Sequence, residues 1–514
     1  LAPHSFIWFE LKQSPEQRLL EQREDDQLSN AQLPSVELRK GWASLFRLEA
    51  RTALERDALA DFIKRQRWFM RKAATVRAVT LRDWIQLPET EEQLYLCLLE
   101  VLYGDDSSEI YFCPFALAFG DAKGWISQDA PSAIVARIQS DGEEAYLFDG
   151  FHSDACSRAL FRFITSGRSI QSKSGELRAI VDESLKTQNL DPDQLLLQRT
   201  AAEQSNSSLT YQRELFLKLF RRVESGINPD FEITWFLQHD TSFRQAPSTV
   251  AGLEYHAAGG TTISLAMMQR YITNQGNGWE FATAELRQFY EGDMTLPFSD
   301  DELPPSLRFA SEIEAPEEVL DALGSLAATS ARTIGERTAE LHLALASGPV
   351  SGPFGRGRAD SSSLAALVTN ARTKLQRLQL ELSSGQTVLD AATTDLLPRF
   401  TSKLSTLDRR LQAFSSIATG CTTARCHGDY HLGQILHTEN DIVIFDFEGE
   451  PARSLEERRA PTLVLKDVAG MLRSFDYAAL HALFLATKNL PQDFQRLLPR
   501  ARFWSRWCSA LFLD

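Results

Sequence analysis

Between Cys426 and Pro451 the chain gathers most of its chemistry into one ordered run, and that run limits the folds open to it. It reads Cys426-His427-Gly428-Asp429-Tyr430-His431-Leu432-Gly433-Gln434-Ile435-Leu436, then Asp441-Ile442-Val443-Ile444-Phe445-Asp446-Phe447-Glu448-Gly449-Glu450-Pro451. Asp429 precedes Gln434 by five residues, and Asp446 closes the apolar run Ile442–Phe445. His427 and His431 stand four apart and could meet zinc from one face of a helix. The zinc-protease pattern needs a glutamate directly after the first histidine, and Gly428 occupies that place. Gly428 also disfavours a continuous helix. The run therefore reads as a loop leading into a short strand, with a carboxylate, an amide and a second carboxylate in fixed order.

That order is the order of a kinase-type catalytic loop. An acceptor hydroxyl must be oriented and must lose its proton, which Asp429 can accept. Mg²⁺ prefers hard oxygens, so Gln434 and Asp446 suffice beside nucleotide phosphates. Upstream, Lys218 is a lone cation in the apolar run Leu215–Phe220. Burying an unpaired ammonium is costly, so it needs an anionic partner. Fourteen residues on stands Glu232, in Asn228-Pro229-Asp230-Phe231-Glu232, which opens a helix with proline at a favoured first position. Glu232 is the expected partner of Lys218. Ser205, Asn206, Ser207 and Ser208 precede the lysine strand and lack the glycines of a usual phosphate loop, yet hydroxyls and N–H groups can do that work. By themselves they read as a polar turn. Backbone groups around Gln269 and Tyr271, where a strand meets the glycine-rich connector 273–278, are the candidates for holding an adenine.

A length of 514 residues suggests about three domains. The boundaries expected are 1–40 for the tail of a preceding domain and a solvated linker, 41–195 for an α+β cap, 196–275 for a β-rich lobe and 276–514 for a helical lobe. A helix is expected over Thr52–Arg67, strands over Val76–Leu81, Gln93–Leu102 and Ala145–Asp149, and helical structure at Ser157–Thr165 and near Leu177–Val181. Three-to-four spacing predicts long helices at Ser325–Ala346, Ser363–Leu382 and Asp395–Ser416. A net charge of −15 argues against nucleic acid as a partner. None of the six cysteines forms a CxxC pair, and no apolar run reaches the ~20 residues of a membrane helix. With no signal-peptide pattern at the start, a cytoplasmic location is expected.

These motifs resemble maltokinase, a bacterial family related to aminoglycoside phosphotransferases and, more distantly, protein kinases. The resemblance covers about Gly41 to Asp514. It rests on QSNSS, the LKLFRRVESGINPDFEITWFL block, HGDYHLGQ, DFEGEP and LVLKDVAGMLRSFDYAA. It implies an α+β, bilobal protein-kinase-like fold with an extra N-terminal cap and a mostly helical C-lobe. It implies ATP-dependent phosphorylation of maltose to maltose 1-phosphate, which feeds α-glucan synthesis, with ATP and Mg²⁺ as cofactors. By the same resemblance Asp429 is the catalytic base and Lys218, partnered by Glu232, holds phosphate. Gln434 and Asp446 hold magnesium, and Ser205 to Ser208 form the phosphate loop. Arg67-Trp68-Phe69 matches an N-terminal family signature, while Met70-Arg71 replaces the Gly-Gly often found next. The opening LAPHSFIWFEL resembles the last strand of a trehalose synthase C-domain, so a fused or associated trehalose synthase domain is expected as partner. The chain ends before the family's final YELxxRPxW-like segment, so it is expected to bind nucleotide better than maltose. A kinase of another small acceptor and a non-catalytic regulatory domain are the two alternatives.

Overall fold

The computed structural model describes residues 33–88, 93–186, 190–200, 205–292, 315–383 and 391–514. The aromatic run at 5–11 and most of the polar stretch after it lie outside the described residues. The chain divides into two compact units. One holds Leu286–His431 and Arg459–Asp514; the other holds the described residues up to Glu285 together with Leu432–Arg458.

The latter unit is built on two sheets. The first contains β1 (Ser35–Leu38), β2 (Val76–Gln86), β3 (Leu94–Tyr103), β4 (Ser108–Ala118), β5 (Ile134–Ser140) and β6 (Glu143–Asp149), in the order β1-β5-β6-β4-β3-β2. Side chains alternate across it as a period of two requires. Leu94, Leu96 and Leu98 enter one core, while Tyr95, Cys97 and Leu99 enter the other with the helices Leu48–Asp57 and Leu59–Arg65. The single helix expected at Thr52–Arg67 is thus two, broken at Ala58 (φ −125°, ψ −47°). β1 corrects the linker reading: Val36 and Leu38 are buried, and the strand runs parallel to β5.

The second sheet contains β7 (Ser169–Gln171), β8 (Gly175–Val181), β9 (Leu197–Thr200), β10 (Asn206–Tyr211) and β11 (Leu215–Phe220). Beyond it come β12 (Arg222–Val223), β13 (Thr249–Ala257) and β14 (Thr262–Arg270). The order is β7-β8-β13-β14-β11-β10-β9, and β12 leaves to pair with β4 of the first sheet. Leu177–Val181, expected to be helical, is strand β8. A short apolar run fits either period, and antiparallel pairing with β13 from Val181↔Ala251 to Gly175↔Ala257 satisfies its backbone. Where β11 passes into β12, Arg221 is 1% exposed. Its guanidinium meets Asp149 at 2.7 Å and lies 5.0 Å from the Trp68 ring centroid. The first sheet and the lysine-bearing second sheet are therefore fastened through a buried charge pair as well as a shared apolar core.

Leu432–Arg458 joins this unit through an antiparallel hairpin, Ile435–His437 against Ile442–Ile444. Gln275 N–H donates to His437 O at 2.8 Å, and Ile444 N–H donates to Gln245 O at 2.8 Å. The other unit is mostly helical. Its helices Ser325–Leu345, Ser361–Ser383, Ala391–Ala418 and Leu465–Ala486 are followed by Asp493–Leu513. Among the described residues no helix is long and apolar enough to cross a membrane, and the six cysteines are free thiols.

Candidate active site

The lysine sits where β11 crosses the middle of its sheet, paired with Ser208 of β10 and Met267 of β14. Lys218 is 4% exposed. Its ammonium has three donors, and three carboxylates take them: Asp230 at 2.9 Å, Asp446 at 2.7 Å and Glu448 at 2.7 Å. The requirement for an anionic partner is met, but by a different helical residue from the one expected. Asp230, not Glu232, makes the ion pair. The helix Pro229–Asp240 starts one residue after Asn228, whose side chain accepts from Asp230 N–H at 2.8 Å. That cap turns Asp230 toward β11. Two positions further on, Glu232 is rotated by about 200° round the helix. Asp230 is itself 2% exposed, and its second oxygen accepts from Phe447 N–H at 3.1 Å.

The hairpin delivers the remaining groups. Phe445 N–H donates to Gln434 O at 3.1 Å, which leaves Gln434 and Asp446 side by side at the open end. Gln434 Nε2 donates to Asp446 Oδ2 at 3.0 Å. Asp446 has φ 64°, a left-handed conformation that aspartate tolerates better than most residues. Glu448, which the sequence reading passed over, accepts from Asn206 Nδ2 at 2.7 Å as well as from Lys218. Its signal was present in the DFEGEP box, where it stands two residues after Asp446 in the turn that follows the hairpin.

Asp230, Asp446 and Glu448 present one oxygen each within 4.8 Å of one another. Three carboxylates face one ammonium, so the cluster is short of positive charge. Burial raises the Glu448 carboxyl above its usual range, with Asp446 and Asp230 adding to the rise and Lys218 opposing it. A donor set of hard oxygens with excess negative charge fits a divalent cation such as Mg²⁺. Asp230 is buried against Phe447 and Lys218, whereas Asp446, Glu448 and the Gln434 amide stand together at the more open side, so they are the residues that would serve one.

Of the four loop residues, Ser205 is exposed and Asn206 reaches Glu448. Ser207 Oγ accepts from Arg221 Nε at 2.7 Å. Ser208 is 1% exposed, and its Oγ has no partner among the described residues. An orphaned hydroxyl across the strand from Lys218 fits a polar ligand there. Gln269 lies inside β14, paired with both Phe216 and Thr249. Arg270 N–H donates to Ser248 O at 2.8 Å and Tyr271 N–H to Glu214 O at 2.9 Å, so these amides are taken by the protein itself.

Asp429 belongs to the helical unit, in a half-buried loop whose backbone is pinned. Gly428 has φ 88°, which favours glycine. Asp467 accepts from His427 N–H at 2.8 Å, Gly428 N–H at 2.9 Å and His342 Nε2 at 3.0 Å. Tyr430 OH and Thr338 Oγ1 are 2.9 Å apart. A side chain at Gly470 would come within 2.5 Å of Tyr430 O, so the helix Leu465–Ala486 touches the loop through bare backbone. Burial pushes the Asp467 carboxyl up, but the His342 hydrogen bond, the charges of His342 and His427 and the Gly428 N–H bring it below the usual value. A depressed folded value means its stabilisation is complete above the unfolded value near 4 and is lost as pH falls through the lower folded one. Asp467→Asn should cost about 3 kcal/mol at pH 7 in urea unfolding. The gap to wild type should shrink below pH 4; a constant gap would disprove the charged role.

Residues 62–152 match the maltokinase N-terminal cap domain model. A glucosamine kinase from Streptacidiphilus jiangxiensis is 25% identical over 45% of this chain and 43% of its own length. One from Mycolicibacterium smegmatis is 41% identical over 11% of this chain and 14% of its own. The chain thus spans under half the length of these curated relatives. The solved structure of a glucosamine kinase in complex with glucosamine, ADP and inorganic phosphate matches at a TM-score of 0.52 and 17% identity, over 89% of this chain and 91% of that one. This is a likeness of fold: α+β, two-lobed and kinase-like with an N-terminal cap. Residues 62–152 are thus similar to the maltokinase N-terminal cap domain, and the chain as a whole shares the fold of a glucosamine kinase.

Proposed function

We propose that the protein is an ATP-dependent sugar kinase, and that its acceptor is maltose, phosphorylated at the anomeric oxygen to give maltose 1-phosphate for α-glucan synthesis. The observation that carries the kinase reading is the convergence of Lys218, Asp446, Gln434 and Glu448 below the Ser205–Ser208 loop. The observation that carries the acceptor is the maltokinase cap. Lys218 holds nucleotide phosphate, exchanging a carboxylate partner for phosphate oxygens. Asn206, Ser207 and Ser208 line the approach with donors. Asp446 and Gln434 would hold Mg²⁺, with Glu448 beside them; when bound, the cation offsets phosphate charge. Asp429 orients the acceptor hydroxyl and takes its proton. The chain's work is positioning and charge stabilisation, as phosphoryl transfer requires. We further propose a trehalose synthase domain as partner.

A second reading has its own support. The two relatives described above are glucosamine kinases, which favours an aminosugar acceptor. A coupled ADP-release assay with maltose, glucosamine, glucose and an aminoglycoside separates the two. The maltose reading expects kcat/KM for maltose at least about 100-fold above the others, the discrimination a built polar site can reach. Preference for glucosamine would replace maltose while leaving the kinase reading intact. No ADP release with any acceptor would count against both.

A further inference from the structure

The segment after the metal-binding box is held by a side chain that plays no direct part in the chemistry above. Arg458, at the end of the short helix Leu455–Arg459, is 7% exposed along its side chain. Its Nη1 donates to the backbone O of Glu448 at 3.0 Å. Its Nη2 pairs with Glu224 Oε1, in the segment that follows β12. The other oxygen of Glu224 accepts from Leu455 N–H at 3.2 Å, at the start of the same short helix. Gly449 lies under the arginine stem. A side chain there would touch Arg458 carbons at 3.4 to 3.5 Å, and its φ of 74° is one that favours glycine. One guanidinium thus fixes the carbonyl of Glu448, the turn after it and the Glu224 segment that follows β12.

We infer that Arg458 and Glu224 form a strap that sets the position of Glu448, and through it the cation and Asn206 contacts of the site; this rests on the reading of that site as a nucleotide–cation centre. Arg458 is a positioning residue. The Glu448 carboxylate has about 2.7 Å contacts to both Lys218 and Asn206, so a carbonyl released by loss of the strap lets it drift from both. An outer partner of a ligating carboxylate typically matters tenfold or more for metal affinity.

The test uses Mn²⁺ as the probe, titrated by electron paramagnetic resonance with a non-hydrolysable ATP analogue on the full chain. Arg458→Met should raise the Mn²⁺ dissociation constant about tenfold, with a smaller loss in analogue affinity measured without metal. Glu224→Gln, which keeps the shape and is half exposed to water, should move it in the same direction, and the double variant should be no worse than Arg458→Met alone. Arg458→Lys, which can reach one partner but not both, should fall between. Wild-type Mn²⁺ affinity in both Arg458→Met and Glu224→Gln, with only the melting temperature lowered, overturns the strap. A wild-type chain that takes up no Mn²⁺ overturns the reading of the site itself.

Discussion

Asp429→Asn is expected to lower phosphoryl transfer about a thousandfold while nucleotide affinity stays within about twofold of wild type. Asparagine keeps the size and the hydrogen-bonding shape of the side chain but has no oxygen that can hold a transferred proton. The loop should survive the change. Its backbone is fixed by Asp467 on His427 and Gly428, by the Tyr430–Thr338 hydroxyl contact and by the bare backbone at Gly470, and none of these uses the Asp429 side chain. Circular dichroism melting should therefore be unchanged, and the loss should fall in kcat. Turnover near wild type would remove Asp429 from the role of base.

The second large effect is at Lys218. Lys218→Met fills the volume and leaves three carboxylates facing one another, one of them 2% exposed. Breaking a buried ion network by removing one side costs about 3–5 kcal/mol. Transfer should fall about a thousandfold or more, because the phosphate loses its charged partner. Two features separate this from plain misfolding. Burial already holds the Glu448 carboxyl above the usual carboxylate range, against the pull of Lys218. Without the ammonium that opposes it, the rise should be larger, and the stability deficit should narrow as pH falls from 7 toward the ordinary carboxylate range. Mg²⁺ should also stabilise Lys218→Met more than wild type, since a cation can take the place of the lost charge. A deficit independent of both pH and Mg²⁺ would show that the three carboxylates do not act as one cluster.

How much of this was visible in the sequence varies with how local the cause is. The hairpin that sets Gln434 beside Asp446 was legible because it forms between segments a few residues apart. Lys218 was legible from cost alone: a lysine in LFLKLF must meet negative charge. Which carboxylate met it was not. Asp230 and Glu232 both open the same helix, and only the Asn228 cap and the seating of Phe231 and Ile233 in the core decide which one faces the strand. Glu448 was overlooked because an acid after an aspartate reads as solvated until Asn206 is brought to it from more than 200 positions away.

The fold shows the same division. The long helices at Ser325–Leu345 and Ser361–Ser383 carry their period over five turns or more and were readable. β8 was not, because seven residues cannot separate the two periods and its partner β13 lies some 70 positions downstream. β1 hid inside a polar stretch, since only Val36 and Leu38 point inward and the pairing with β5 is a parallel contact across about 100 residues. Distant pairing decides such segments, and local propensity does not record it.

The reaction proposed for this chain is phosphorylation of maltose at its anomeric oxygen. Phosphorus NMR on the product formed from maltose, ATP and Mg²⁺ tests it most directly. The account predicts one phosphomonoester signal coupled to the anomeric proton, absent from reactions with Asp429→Asn. A phosphate on any other oxygen of maltose, or maltose left unreacted while glucosamine is phosphorylated, would contradict it.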